Sequence, residues 1–207
     1  RMRPILLAAI VLGVFAMSAS ATEEPAFETV EQDGKIEVRQ YAPLIVAETE
    51  VSGDMRDAGR AGFRLLADYI FGNNTARSEI AMTAPVTRTP SRKIEMTAPV
   101  TRVPTQTDSW TVTFTMPSKW TMETLPVPNN PAVKLREVPG ELMATIRFSG
   151  SGQMKAHKAR QEELERWMAA HGYEATGAPR YAGYDAPWKP APFRRNEVLI
   201  PVKPAQD

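Results

Sequence analysis

Cysteine is absent from the 207-residue chain. That absence removes disulfides, thiolate metal ligands and cysteine nucleophiles together. Histidine is nearly absent, with His157 and His171 the only two. They stand on or at the end of one segment of helical pattern, about 21 Å apart at roughly 1.5 Å per residue, too far to grip one metal ion from opposite sides. Both read as surface histidines. An excess of charge is missing too. Twenty-five Lys and Arg against 24 Asp and Glu leave a net charge of +1, whereas a nucleic-acid surface needs clustered cations. The sequence also lacks a G-x-S-x-G elbow, an H-E-x-x-H pair, a glycine-rich phosphate loop and a G-x-G-x-x-G fingerprint. No residue pattern therefore argues for an enzyme.

Long apolar runs are confined to the N-terminus. Arg1 and Arg3 precede an apolar stretch over residues 5–17, and Ala19 and Ala21 occupy the −3 and −1 positions of an A-x-A cleavage site. This is the pattern of an export signal peptide. The run is shorter than the roughly 20 residues needed to span a bilayer. We expect removal of residues 1–21, a soluble periplasmic or secreted protein with no membrane span, and one domain over residues 22–207.

Within that domain, residues 27–32 and 35–41 form an expected hairpin around Asp33-Gly34, a type I′ turn pair. Residues 44–51 make a third strand. Ser52, Gly53 and Asp54 then offer capping chemistry to a helix ending near Gly72. Its apolar positions Met55, Ala58, Gly62, Leu66 and Tyr69 oppose Arg56, Arg60 and Arg64. Trp110, Val112, Phe114 and Met116 alternate with Thr111, Thr113 and Thr115, a strand with one apolar face. Residues 132–138 and 141–148 suggest a second hairpin around Pro139-Gly140. A second helix covers residues 153–170, and the last strand residues 197–202. The ten methionines, Met82 and Met96 among them, read as flexible core fillers.

Two repeats organise the chain. Residues 80–88 and 94–102, each carrying Met-Thr-Ala-Pro-Val-Thr-Arg, differ at one of nine positions. Residues 47–53 and 144–150 both end in Ser-Gly before a helix. The expectation is an α+β fold of two pseudo-symmetric strand–helix–strand halves, with two α-helices on an antiparallel sheet and a cleft between helix and loop.

Four segments carry a resemblance: residues 35–41, the doubled Met-Thr-Ala-Pro-Val motif, residues 114–120 and residues 194–199. Together they resemble the SOUL haem-binding family, in order and across nearly all of residues 27–202. The resemblance implies a distorted antiparallel β-barrel flanked by two α-helices, and non-catalytic binding of haem or another tetrapyrrole. It places the groove between the first helix and the loop before the last strand. There Arg60 matches the family's basic position, Phe63 and Ala67 its apolar positions, and Lys189, beside Trp188, its loop lysine. A second basic helix position is Asp68 here, which weakens a propionate clamp. A more distant likeness, to multidrug-sensor ligand domains, implies instead an amphipathic or cationic ligand near Glu197, with hydrolysis a third reading.

Haem is a flat apolar disc carrying two carboxylates, so its site needs apolar walls and cations. Arg60 and Lys189 could meet the propionates, and Phe63, Ala67, Ile70 and Trp188 could form the walls. The blander reading puts Arg60 on the solvated helix face and Phe63 in the core. Tyr184 or a methionine could ligate iron, though no spacing selects one. Glu197 reads first as a structural partner of Arg194, Arg195 or another buried donor.

Overall fold

The hairpin at the start of the chain forms, but its turn is Gly34-Lys35 rather than the expected Asp33-Gly34 type I′ pair, because Asp33 ends the first strand opposite Ile36 and keeps a negative φ. Strands β1 (Phe27–Asp33) and β2 (Ile36–Tyr41) pair antiparallel, with Gly34 at φ +58° in the turn. The structure, a computed structural model, describes residues 22–76, 91–106, 108–186 and 188–205. The expected signal peptide and the first Met-Thr-Ala-Pro copy lie outside the described residues.

Strand β3 (Leu44–Ser52) leads into helix α1 (Met55–Ile70). The Asp54 carboxylate accepts hydrogen bonds from the Arg56 and Asp57 amides at 2.8 and 2.9 Å, capping the first turn. Beyond lie the short β4 (Asn74–Thr75), then β5 (Val100–Gln106) and β6 (Ser109–Thr115). Next come β7 (Val127–Pro128), β8 (Lys134–Val138) and β9 (Leu142–Ser149), which runs into α2 (Met154–Ala170). The chain ends with β10 (Tyr173–Ala175), β11 (Arg180–Gly183) and β12 (Arg195–Pro204). In both Ser-Gly junctions the glycine takes a positive φ, +121° at Gly53 and +136° at Gly150. The long repeat thus records a shared strand-to-helix corner that a side chain would strain.

The principal sheet has ten strands in the order β1-β2-β9-β12-β11-β5-β6-β3-β8, with β10 beside β12. Its path ends at β1 and β8, so the sheet stays open. The expected barrel is corrected to a large antiparallel sheet carrying two helices. The expected hairpin around Pro139-Gly140 is corrected as well. Strand β8 pairs with β3, whereas β9 lies between β2 and β12. Tyr41 and Pro43 crowd Gly140, where a Cβ would lie 2.8 Å from the Tyr41 carbonyl oxygen. That corner sends the chain across the sheet rather than back along β8.

One sheet face carries both helices over two apolar clusters. Leu66, Tyr69 and Ile70 of α1 pack with Val112 and Phe114, and Leu164 and Met168 of α2 pack with Val38, Ile146 and Val198. The α1–β6 contact is close enough that a Cβ on Gly62 would meet Val112 Cβ at 2.6 Å. The other sheet face takes the alternate residues of β5 and β6. Met96, expected in the core, is 42% exposed, because it lies in the irregular run before β5 rather than in an element that turns it inward.

Candidate ligand-binding site

Two surfaces could receive a small molecule. The first is the outward side of α1. Residues 60, 63, 67 and 71 recur at intervals of three and four, so they line one stripe. A stripe turned to solvent should be polar. Here Phe63 is 38% exposed and Phe71 55% exposed, while Ala67 between them is buried. The two aromatics are about 12 Å apart along the axis at roughly 1.5 Å per residue. Phe63 leans one edge on buried Phe114, ring centroids 5.4 Å apart. Arg60 is exposed at one end of the stripe. At the other end Lys93 Nζ stands 5.7 Å from the Phe71 ring centroid. Phe71 and Lys93 were not legible as site residues, because one follows the helix and the other is brought back from beyond residue 90.

The sequence-predicted set is split between elements. Arg60, Phe63 and Ala67 share the α1 stripe, while Ile70 faces the core. Trp188 is 84% exposed on the segment between β11 and β12. Lys189 donates to the Asp185 carboxylate at 2.5 Å and so already has a carboxylate partner. No hydrogen bond or ring contact among the described residues joins Trp188 or Lys189 to the α1 stripe.

Beside that stripe lies Arg102, which in sequence is only the last residue of a repeat. It sits on β5 and points to the helix-bearing face between α1 and β11. A Cβ on Gly59 of α1 would sit 3.2 Å from its Cδ, and one on Gly183 of β11 would sit 3.6 Å from Nη2. Its Nε is shielded from solvent and has no hydrogen-bond partner. Burial alone lowers the pKa of this guanidinium, with no acid set against it.

His157 lies in the same seam and is fully buried, at 0% exposure. The surface assignment is corrected. Its position on α2 turns inward, where the Phe148 and Tyr181 rings each lie 5.0 Å away. Burial first, and the Arg102 charge second, push its pKa down to about 4. His171 is exposed and stacks on Trp167 at 4.0 Å.

The second surface is a cleft of about 380 Å³ on the sheet face away from the helices. It falls within the roughly 300–1,000 Å³ of small-molecule sites. Thr101, Thr113, Met143, Leu199, Tyr41 and Tyr184 are among its lining residues. The threonine face of β6, the polar side of its alternation, therefore looks into a concavity. Two ion pairs also line it, Arg136 with Glu48 at 3.0 Å and Arg180 with Glu141 at 2.8 Å. Arg60, Phe63, Ala67, Trp188 and Lys189 take no part in this cleft.

Glu197 adjoins the cleft and is structural, the role its flanking arginines suggest in sequence. Its carboxylate accepts from Arg39 Nη1 at 2.9 Å, from Tyr184 Oη at 2.6 Å and from Arg195 Nε at 3.1 Å. Burial would raise its pKa, but these donors and charges hold it below the usual carboxylate range. Tyr184 is pushed up by burial and by the Glu197 charge, so it stays a neutral donor.

Comparison with known proteins decides the family. The family model described as "SOUL heme-binding protein" matches residues 22–201. The chain belongs to the SOUL family. Human heme-binding protein 2 is 40% identical over 75 residues, a match covering 34% of this chain and 37% of that protein. Among solved structures, the EcmrR C-terminal domain aligns with a TM-score of 0.58 at 13% identity, over 82% of this chain and 98% of that one. A hydrolase from Listeria innocua aligns with a TM-score of 0.54 at 14% identity, over 84% of this chain and 94% of that one. At such identities these two structures bear on the fold alone. Both agree with an α+β arrangement of a large antiparallel sheet and two helices.

Proposed function

We propose that this SOUL protein binds haem or a related tetrapyrrole without turning it over, along the outward stripe of α1 and facing the segment between β11 and β12. The carrying observation is the pair of exposed aromatics Phe63 and Phe71 on one flank of α1, with the buried Ala67 as the floor between them, bounded by Arg60 at one end and Lys93 at the other. A planar apolar ring fits over such a stripe, and its carboxylates suit the end cations. Trp188 is free to close the outer side, and Lys189 joins by giving up Asp185. Neither histidine lies on α1, so the side chains here hold the ring and its carboxylates rather than the iron. The macrocycle, when bound, supplies the visible absorption by which binding is followed.

Adding hemin to the protein is expected to shift the Soret band and saturate near one equivalent. An Arg60→Glu, Lys189→Glu pair is expected to weaken binding clearly. Unchanged affinity would remove this placement. Export, with residues 1–21 removed, belongs to the same reading, and N-terminal sequencing of the mature protein is expected to begin at Thr22.

A second reading rests on the 380 Å³ cleft, which suits another amphipathic molecule. Glu197 is already held by three donors, and Glu48 and Glu141 are each matched by an arginine. The cleft therefore favours a neutral amphipathic guest over the cation suggested by sequence. A thermal-shift panel of neutral amphiphiles, hydrophobic cations and porphyrins separates these readings.

A further inference from the structure

Beside α1 stands a half-buried cation, Arg102, that no acid among the described residues neutralises. Arg102 projects from β5 between Gly59 of α1 and Gly183 of β11, and its Nε is sealed from water without a partner. The other arginines drawn into the interior are matched: Arg39 meets Glu197 and Glu37, and Arg195 meets Glu24 and Glu197. Removing a cation from water without an acid is costly, and the usual remedy is a carboxylate partner. Among the described residues no acid reaches Arg102, and burial is the one influence on its pKa.

The surroundings are shaped for an incoming oxyanion. Gly59 and Gly183 flank the guanidinium, and a side chain at Gly59 would press on Cδ and Nη1 at 3.2 and 3.3 Å. Gly59 lies one turn before Phe63 on the same flank of α1, so Arg102 stands at the sheet side of the exposed aromatic stripe. Gly183 is the last residue of β11, directly before the segment that carries Trp188 and Lys189. The nearby Nε2 of His157 is also buried without a partner. That atom could take a proton when negative charge enters the seam.

We propose that Arg102 is the carboxylate anchor of the ligand groove, its planar fork receiving a propionate-type group that enters between α1 and the segment after β11. The proposal rests on the tetrapyrrole reading above for the rest of the ligand, but the anchor is a separate claim about this side chain. A forked, charge-assisted pair is the arrangement arginine forms best with a carboxylate. It would also remove the unpaired charge, so binding and neutralisation coincide. Arg60 and Lys189 then act as outer cations, while Arg102 fixes the register of the ring.

The test compares hemin with hemin dimethyl ester, which has the same ring and iron but no free carboxylate, on the wild type and on Arg102→Leu. Hemin is expected to bind the wild type at least about tenfold more tightly than it binds Arg102→Leu, while the ester binds both alike. Without ligand, Arg102→Leu is expected to melt no lower than the wild type, because it deletes a half-buried charge that no described acid pairs. Equal hemin affinity in both proteins would overturn the anchor and leave the tetrapyrrole reading standing. A lowered melting point together with unchanged affinity would mark Arg102 as structural and would overturn the anchor equally. If hemin fails to bind the wild type, the tetrapyrrole reading falls. The anchor is then decided by propionate, which must raise the wild-type melting point more than that of the variant. Should Arg102→Leu not fold, the hemin-to-ester ratio on the wild type and on Gly59→Ala decides. A ratio near one for the wild type, or one left unchanged by Gly59→Ala, would refute the anchor.

Discussion

His157 makes a pH dependence that can be worked out in advance. The ring is fully buried on α2, Nδ1 lies 3.2 Å from the Gln153 carbonyl oxygen, and burial with the Arg102 charge lowers its pKa from 6.5 to about 4. Above pH 6.5 the imidazole is neutral in both folded and unfolded chains and has no effect on the balance. As pH falls below 6.5 the unfolded chain takes up a proton that the folded chain refuses, so stability declines until about pH 4. A gap of roughly 2.5 pH units corresponds to about 3 kcal/mol of stability lost across that window. The carboxylates with lowered pKa, Glu197 and Asp185 among them, act below the unfolded carboxylate values of about 4, so most of the window belongs to the histidine. Urea unfolding of the wild type and of His157→Phe, at half-unit steps from pH 7 to 4.5, isolates the contribution. The wild type is expected to lose stability steadily and the variant to stay nearly flat. Parallel curves would refute the assignment of His157 as the buried neutral group.

Replacing Glu197 by Gln leaves Arg39, which is 4% exposed, with Glu37 as its one remaining acid. Chemical denaturation is expected to show a loss of about 1–3 kcal/mol. Gly62→Ala places a Cβ 2.6 Å from Val112. The overpacking is expected to cost about 1–3 kcal/mol and to lower the thermal midpoint, with a partial return in Gly62→Ala, Val112→Ala. Phe63→Ser truncates a ring on the exposed stripe. It is expected to weaken hemin binding with little change in unfolding free energy, and the reverse pattern would make Phe63 a core residue.

Local elements were legible where one signal dominated. The Asp54 cap and the Trp110-to-Phe114 alternation each have a local cause and appear where the pattern puts them, and the first hairpin turns one residue beyond the expected Asp33-Gly34 pair. Strand β5 was missed because Pro104 interrupts its pattern, and β10 and β11 because they are three and four residues long. The Pro139-Gly140 corner misled because turn residues announce a change of direction without naming the partner strand. At the site, the outward position of Arg60 followed from helical spacing alone. The inward turn of His157, the isolation of Arg102 and the closure of Glu197 by Arg39, a residue 158 positions away, arise only from tertiary contact.

The most direct test of the binding surface is an amide chemical-shift map recorded while protoporphyrin IX is added to isotopically labelled protein. Shifts are expected to concentrate on residues 59–71 of α1, Lys93, Arg102 and residues 183–194, with Thr101, Thr113, Met143 and Leu199 of the opposite face unmoved. Shifts centred on that opposite face, with α1 silent, would contradict binding along the helix.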